Sequence, residues 1–128
     1  MMNLFKKTIL YTDYDGSAKF KEEYIPFSEG NPQSQLTQLF QSGGYQMRYS
    51  PIGFTSEFHV TKTPQWVFIL KGKMEIGLQD GTKRLFSEGE CFFSNDVLPS
   101  NVEFDKNVHG HCSRQIGDEP LMTLFLRE

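Results

Sequence analysis

Hydrophobic and polar residues alternate with period two from end to end of the chain, and turn signals interrupt the alternation at short intervals. That combination favours strands joined by tight connections over helices. AKFKEEYIPF (18–27) alternates weakly, and EGNPQ ends it. After Gly43 and Gly44, YQMRYSP sets Tyr45, Met47 and Tyr49 between polar neighbours, which predicts a strand with that row buried. SEFHV and PQWVFIL follow, then the turn Lys71-Gly72-Lys73, then MEIGLQ and Asp80-Gly81, a pair that tolerates positive φ and signals a hairpin. With TKRLF, ECFFS, NVHGHCSRQI and LMTLFLR the pattern predicts about eight or nine strands. In SQLTQLFQ, Leu36, Leu39 and Phe40 stand at helical spacing and predict one short helix near residues 33–41.

The run Trp66, Val67, Phe68, Ile69, Leu70 is apolar on both faces, so its strand needs cover on both sides. A barrel interior supplies one. The amino-terminal strand or a second copy of the chain supplies the other, and we expect a homodimer, because a bare apolar sheet is an aggregation hazard.

Composition narrows the partners. A chain of 128 residues has room for one domain with a core of its own. Its amino-terminal strands are expected at about residues 5–27 and its barrel core at about 43–127. Thirteen basic and sixteen acidic residues are interspersed, for a net charge of −3, and no basic stripe tracks phosphates, so nucleic acid is not an expected partner. No run approaches the roughly 18 apolar residues of a membrane span, so no membrane association is expected. Cys91 and Cys112 form no C-x-x-C pair, which fits a reduced, cytoplasmic setting. Twelve Phe, five Tyr and one Trp suit strands around a wide interior.

The segment GFTSEFHVTKTPQWVFILKG, from Gly53 to Gly72, resembles the first cupin signature, G-x5-H-x-H-x3-E-x6-G. Gly53, His59 and Gly72 match, while Thr61 stands at the second histidine and Gln65 at the glutamate. The likeness extends over most of the chain, through Gly110-His111-Cys112-Ser113-Arg114, Gly117-Asp118-Glu119-Pro120 and LMTLFL, and is to small single-domain cupins. In the second signature Gly89 matches, but Asn95 replaces the proline and Ser100 the histidine. The resemblance implies an all-β, antiparallel jelly-roll barrel or sandwich.

In the cupin register the row Glu57, His59, Thr61 looks inward, and Gln65, Val67 and Ile69 share the interior. His109 and His111 are also two residues apart, so the resemblance brings all three histidines toward a single spot. His59, His111, His109 and Gln65 are then candidate metal ligands, and Glu57, Thr61, Tyr49 and Val67 candidate ligand contacts. Losing a carboxylate and an imidazole weakens a hard-ion site, so a divalent metal here is expected to be Zn²⁺ or Ni²⁺ rather than Fe²⁺ or Mn²⁺. The leading expectation is a small-molecule-binding barrel with a weak or variable metal site. One alternative is a metal-dependent oxygenase or hydrolase. Another is a metal-free isomerase or epimerase with His59 as base and Tyr49 or Tyr45 as acid. A third is a non-catalytic sensor or structural barrel.

Overall fold

The computed structural model describes residues 2–128 and contains eleven strands. In chain order they are β1 (Leu4–Thr12), β2 (Ala18–Pro26), β3 (Glu29–Asn31), β4 (Ser34–Leu36), β5 (Tyr45–Ser50), β6 (Gln65–Lys71), β7 (Lys73–Leu78), β8 (Lys83–Phe86), β9 (Cys91–Asn95), β10 (His111–Ile116) and β11 (Leu121–Arg127). Six of them form one sheet in the order β2-β1-β9-β6-β11-β5, and β10-β7-β8 form a second. The architecture is thus the expected all-β one, with a single parallel pair, β1 against β9, in an otherwise antiparallel arrangement. Among the described residues no helix is long and apolar enough to cross a membrane.

The inner faces of the two sheets meet over Leu10, Val67, Ile69, Met74, Ile76, Phe86, Phe92 and Leu121. Phe86 and Phe92 stack at 4.6 Å between ring centres, joining the sheets at the middle of the core. Gly72 makes the β6–β7 connection possible: its φ is +82°, and a Cβ there would lie 2.6 Å from the Pro120 carbonyl oxygen.

The helix expected near residues 33–41 is absent. Asn31 Oδ1 accepts the Gln33 N–H at 3.0 Å and turns the chain at Pro32, so β3 and β4 close a hairpin instead. Residues 37–44 then run without regular structure. Leu36, Leu39 and Phe40 line a groove with Phe5, Trp66 and Leu126 rather than a helical stripe. With no N-cap bond and only three apolar side chains, a helix of that length had too little burial to offset its nucleation.

The inward face of β5 is also the reverse of the expected one. Tyr45, Met47 and Tyr49 are exposed, Tyr49 by 63 %, while Ser50 is buried and Arg48 turns inward. The cause is pairing with β11, whose buried Leu121 and Thr123 stand opposite Ser50 and Arg48. Side chains alternate with period two, so the partner strand's inner row dictates which row of β5 goes in.

The double-sided run on β6 behaves as its composition requires. Val67 and Ile69 are buried inside, whereas Trp66 and Phe68 stack on the outer face at 5.7 Å. Phe5 of β1 meets Trp66 edge-on, and Lys7 Nζ lies 4.2 Å from the Phe93 ring centre, so the amino-terminal strand covers part of that face. Leu70 stays half-exposed.

Candidate functional site

The segment from Phe54 to Thr61 is not a regular strand. It follows β10 through two isolated bridges, Thr55 with Arg114 and His59 with His111, then crosses to the large sheet where Thr61 N–H donates to the Asp96 carbonyl at 2.8 Å. This irregular rail brings His59 to the mouth of a cavity of about 90 Å³ between the sheets. The polar lining is Arg48, His59, Gln65, Ser94, His111 and Ser113. Below it Val67, Met74, Ile76 and Phe92 form an apolar floor.

His59 and His111 converge as expected, with ring centres 4.7 Å apart. His111 is buried, 5 % exposed, and its Nδ1 lies 2.9 Å from Asp96 Oδ2. Asp96 is fully buried, and its Oδ1 accepts the Thr12 hydroxyl at 2.6 Å. Thr12, Asp96 and His111 therefore form a hydrogen-bonded chain that fixes the imidazole with Nδ1–H toward the carboxylate. His59 is exposed at its outer edge, and its Nδ1 donates to the Glu57 carbonyl oxygen at 2.8 Å. In each ring it is thus Nδ1 that is engaged by the protein, and both residues line the cavity.

Burial of its inner side, then the neighbouring His111 and Arg48, hold the His59 pKa below its ordinary 6.5, against the opposing pull of the Glu57 carbonyl and of Asp96. It is accordingly a neutral donor at neutral pH. Gln65 lines the same cavity and makes no side-chain hydrogen bond to the protein among the described residues, so its carbonyl oxygen is available as a third donor. No group of three or more His, Cys, Asp or Glu placed to hold a metal ion occurs among the described residues; the cavity itself is lined by two imidazoles, His59 and His111, and the Gln65 amide.

Val67 lies in the floor as expected, but other expected members lie elsewhere. His109 is buried yet lines a separate depression with Tyr11 and Val97. Residues 105–109 form a turn, with both the Val108 and His109 N–H groups donating to the Asp105 carbonyl, and Gly110 at φ +87° redirects the chain before β10 begins. The two-residue spacing therefore does not put His109 on the His111 face. The His109 Nδ1 accepts the Asp105 N–H at 2.9 Å, a structural bond. Glu57 contributes its carbonyl to His59 while its side chain borders an outer depression with Phe58 and Lys106. Thr61 is buried behind the lining, its hydroxyl 2.7 Å from that of Ser94. Tyr49 faces outward.

Two functional candidates were missed in the sequence. Asp96 continues the inward row Phe92, Ser94 by the same period of two, a signal present in ECFFSND. Arg48 stands in the polar row of YQMRYS, which reads as the outer one because Tyr45, Met47 and Tyr49 look like the buried set.

No family model matches the chain, and no curated protein matches it. Among solved structures, the cupin domain of Schizosaccharomyces pombe Cnp3 is similar over 96 % of this chain and 81 % of that one, at 16 % identity and a TM-score of 0.47.

Proposed function

We propose that this barrel binds a small molecule at a weak divalent-metal centre formed by His59 Nε2, His111 Nε2 and the Gln65 carbonyl oxygen. The observation that carries the reading is the shared arrangement of the two imidazoles: each has Nδ1 tied to a fixed acceptor, and both line a common cavity. Their spacing suits one ion. With metal–nitrogen bonds of roughly 2.0–2.1 Å, two imidazoles at tetrahedral angles bring their ring centres to about 5.2 Å, so the 4.7 Å seen here corresponds to a somewhat narrower angle at the ion. The carboxylate behind His111 fixes its ring orientation, as outer-shell carboxylates do at histidine metal sites.

The same donors explain weakness and preference. Neutral nitrogen and amide oxygen, with no carboxylate in the lining and Arg48 alongside, disfavour Mn²⁺ and Fe²⁺ and favour Zn²⁺ or Ni²⁺. A bound ion of this kind polarises a carbonyl or lowers the pKa of bound water. The chain's own residues orient and enclose: Asp96 holds His111, Ser94 and Ser113 offer hydroxyls, and the apolar floor excludes water. Calorimetric titration of chelator-treated protein with Zn²⁺ and Ni²⁺ tests this. Micromolar or weaker binding that disappears in both His59→Ala and His111→Ala supports it, and unchanged binding in either variant refutes it.

A second reading is metal-free acid–base work. It is favoured by the Thr12–Asp96–His111 chain, which orients an imidazole for proton transfer. His111 takes the role of base here in place of His59, and Tyr49 and Tyr45, both exposed on the outer row, do not supply the acid. Ligand binding undiminished by chelator and abolished by His111→Ala is its signature.

A further inference from the structure

Arg48 is a cation in the cavity without a counter-charge. Its guanidinium carbon lies 5.0 Å from the Phe54 ring centre and 4.9 Å from that of Phe125, so two aromatic faces clamp the planar group. Among the described residues no carboxylate forms an ion pair with it, although six other pairs occur in the molecule. Its Nε is buried with no hydrogen-bond partner, and burial works against its charge.

One other buried side-chain atom among the described residues is equally unpaired, the Thr123 hydroxyl, and Thr123 stands directly across the β5–β11 ladder from Arg48. Buried donors and charges are normally satisfied, because leaving them unpaired is costly. Of the two, Arg48 is the one that lines the cavity, among hydroxyls and imidazoles, and its unpaired guanidinium there points to a ligand that completes it.

We propose that Arg48 receives the carboxylate of a small aliphatic monoacid, whose carbon body rests on Val67, Ile76 and Phe92. The planar fork of a guanidinium matches a carboxylate in bidentate fashion. A single cation beside an apolar floor matches a monoanion with a short hydrocarbon part, and a phosphate dianion would bring excess charge and no apolar surface. The cavity of about 90 Å³ limits the acid to a few carbons. The inference rests on the same cavity as the proposed function but not on its metal.

The test is an NMR titration of chelator-treated protein with isobutyrate, its neutral isostere isobutyramide, and inorganic phosphate, repeated with Zn²⁺ present. Isobutyrate is expected to bind at least about tenfold more tightly than isobutyramide or phosphate, shifting Arg48 and Phe125 resonances. Arg48→Met is expected to weaken isobutyrate by about tenfold to a hundredfold, the range for a hydrogen bond to a charged group. Arg48→Lys, which keeps the charge and loses the fork, is the second variant should the first fail to fold, and is expected to weaken it about tenfold. Equal binding of acid and amide, tighter binding of phosphate, or unchanged isobutyrate affinity in a folded Arg48 variant overturns the proposal. Isobutyrate binding to a protein that takes up no Zn²⁺ sinks the metal centre and keeps this inference. Zn²⁺ uptake with no preference for the acid does the reverse.

Discussion

His59 and His111 are joined at the backbone as well as at the side chain: each N–H donates to the other's carbonyl at 2.9 Å. This reciprocal pair closes a bridge beside Gly110, whose φ is +87° and whose missing Cβ leaves room for the His59 main chain. A Cβ at 110 would lie 2.5 Å from the His59 carbonyl oxygen and 2.8 Å from its carbon, and backbone cannot swing away as a flexible side chain can. Gly110→Ala is therefore expected to cost about 2–4 kcal/mol of stability from left-handed strain and displacement of the rail. Zn²⁺ affinity should fall with it, since His59 moves while His111 stays. Urea denaturation and metal titration on one preparation check both effects; a variant as stable as wild type contradicts the geometry.

Asp96 sets which nitrogen His111 offers to the cavity. In Asp96→Asn the Thr12 hydroxyl still has an oxygen to donate to, so the amide N–H₂ faces His111 Nδ1 and drives the proton to Nε2. The lone pair then points the wrong way. Metal affinity should fall about 10–100-fold, the usual loss when an outer-shell partner is changed, and stability by about 1–3 kcal/mol. Calorimetry that finds wild-type affinity in this variant removes the role given to Asp96.

His59 predicts a pH dependence of definite sign. In the unfolded chain it takes up a proton near its ordinary 6.5, whereas the folded site resists protonation until lower pH. Between those values the unfolded state holds more protons, so stability rises with pH through the window and is lost as pH falls below about 6.5. NMR titration of the His59 ring should give a midpoint under 6.5, and His59→Gln should flatten this part of the stability profile. A midpoint at or above 6.5 contradicts the burial argument.

The outer row Tyr45, Met47 and Tyr49 lies on an edge strand continuous with Leu70, Met122 and the partly covered Trp66. Exposed apolar surface of that kind on an unprotected edge predicts a homodimer. Light scattering on the eluting protein at micromolar concentration should report twice the chain mass, and Met47→Lys should halve it without loss of stability. A monomeric wild type excludes this partner.

Much of the architecture was legible because strand alternation and the Gly72 and Asp80-Gly81 turns are local signals, and these strands obeyed them. What misled was the absence of local information about pairing. Tyr45, Met47 and Tyr49 look like a buried row until β11 supplies a partner whose inner residues are Leu121 and Thr123. Leu36, Leu39 and Phe40 have helical spacing, but Asn31 and Pro32 commit the preceding residues to a hairpin. His59 was readable from motif spacing, and His111 from the likeness carried by Gly110-His111-Cys112-Ser113-Arg114 rather than from the second signature, whose histidine position is Ser100. His109 was misplaced because the turn ending in Gly110 breaks the alternation between it and His111. Asp96 and Arg48 are hard to read for opposite reasons, one lying beyond the end of a strand and the other in a row whose neighbours look like the buried set.

The central claim is that the two Nε2 atoms converge on one ion. The most direct measurement is Zn K-edge X-ray absorption on protein loaded with one equivalent of Zn²⁺, alongside His59→Ala and His111→Ala. The account predicts two imidazole nitrogens at about 2.0 Å in the wild type, with a single imidazole or no bound zinc in each variant. A wild-type spectrum without imidazole scattering, or variants indistinguishable from it, would contradict the convergence.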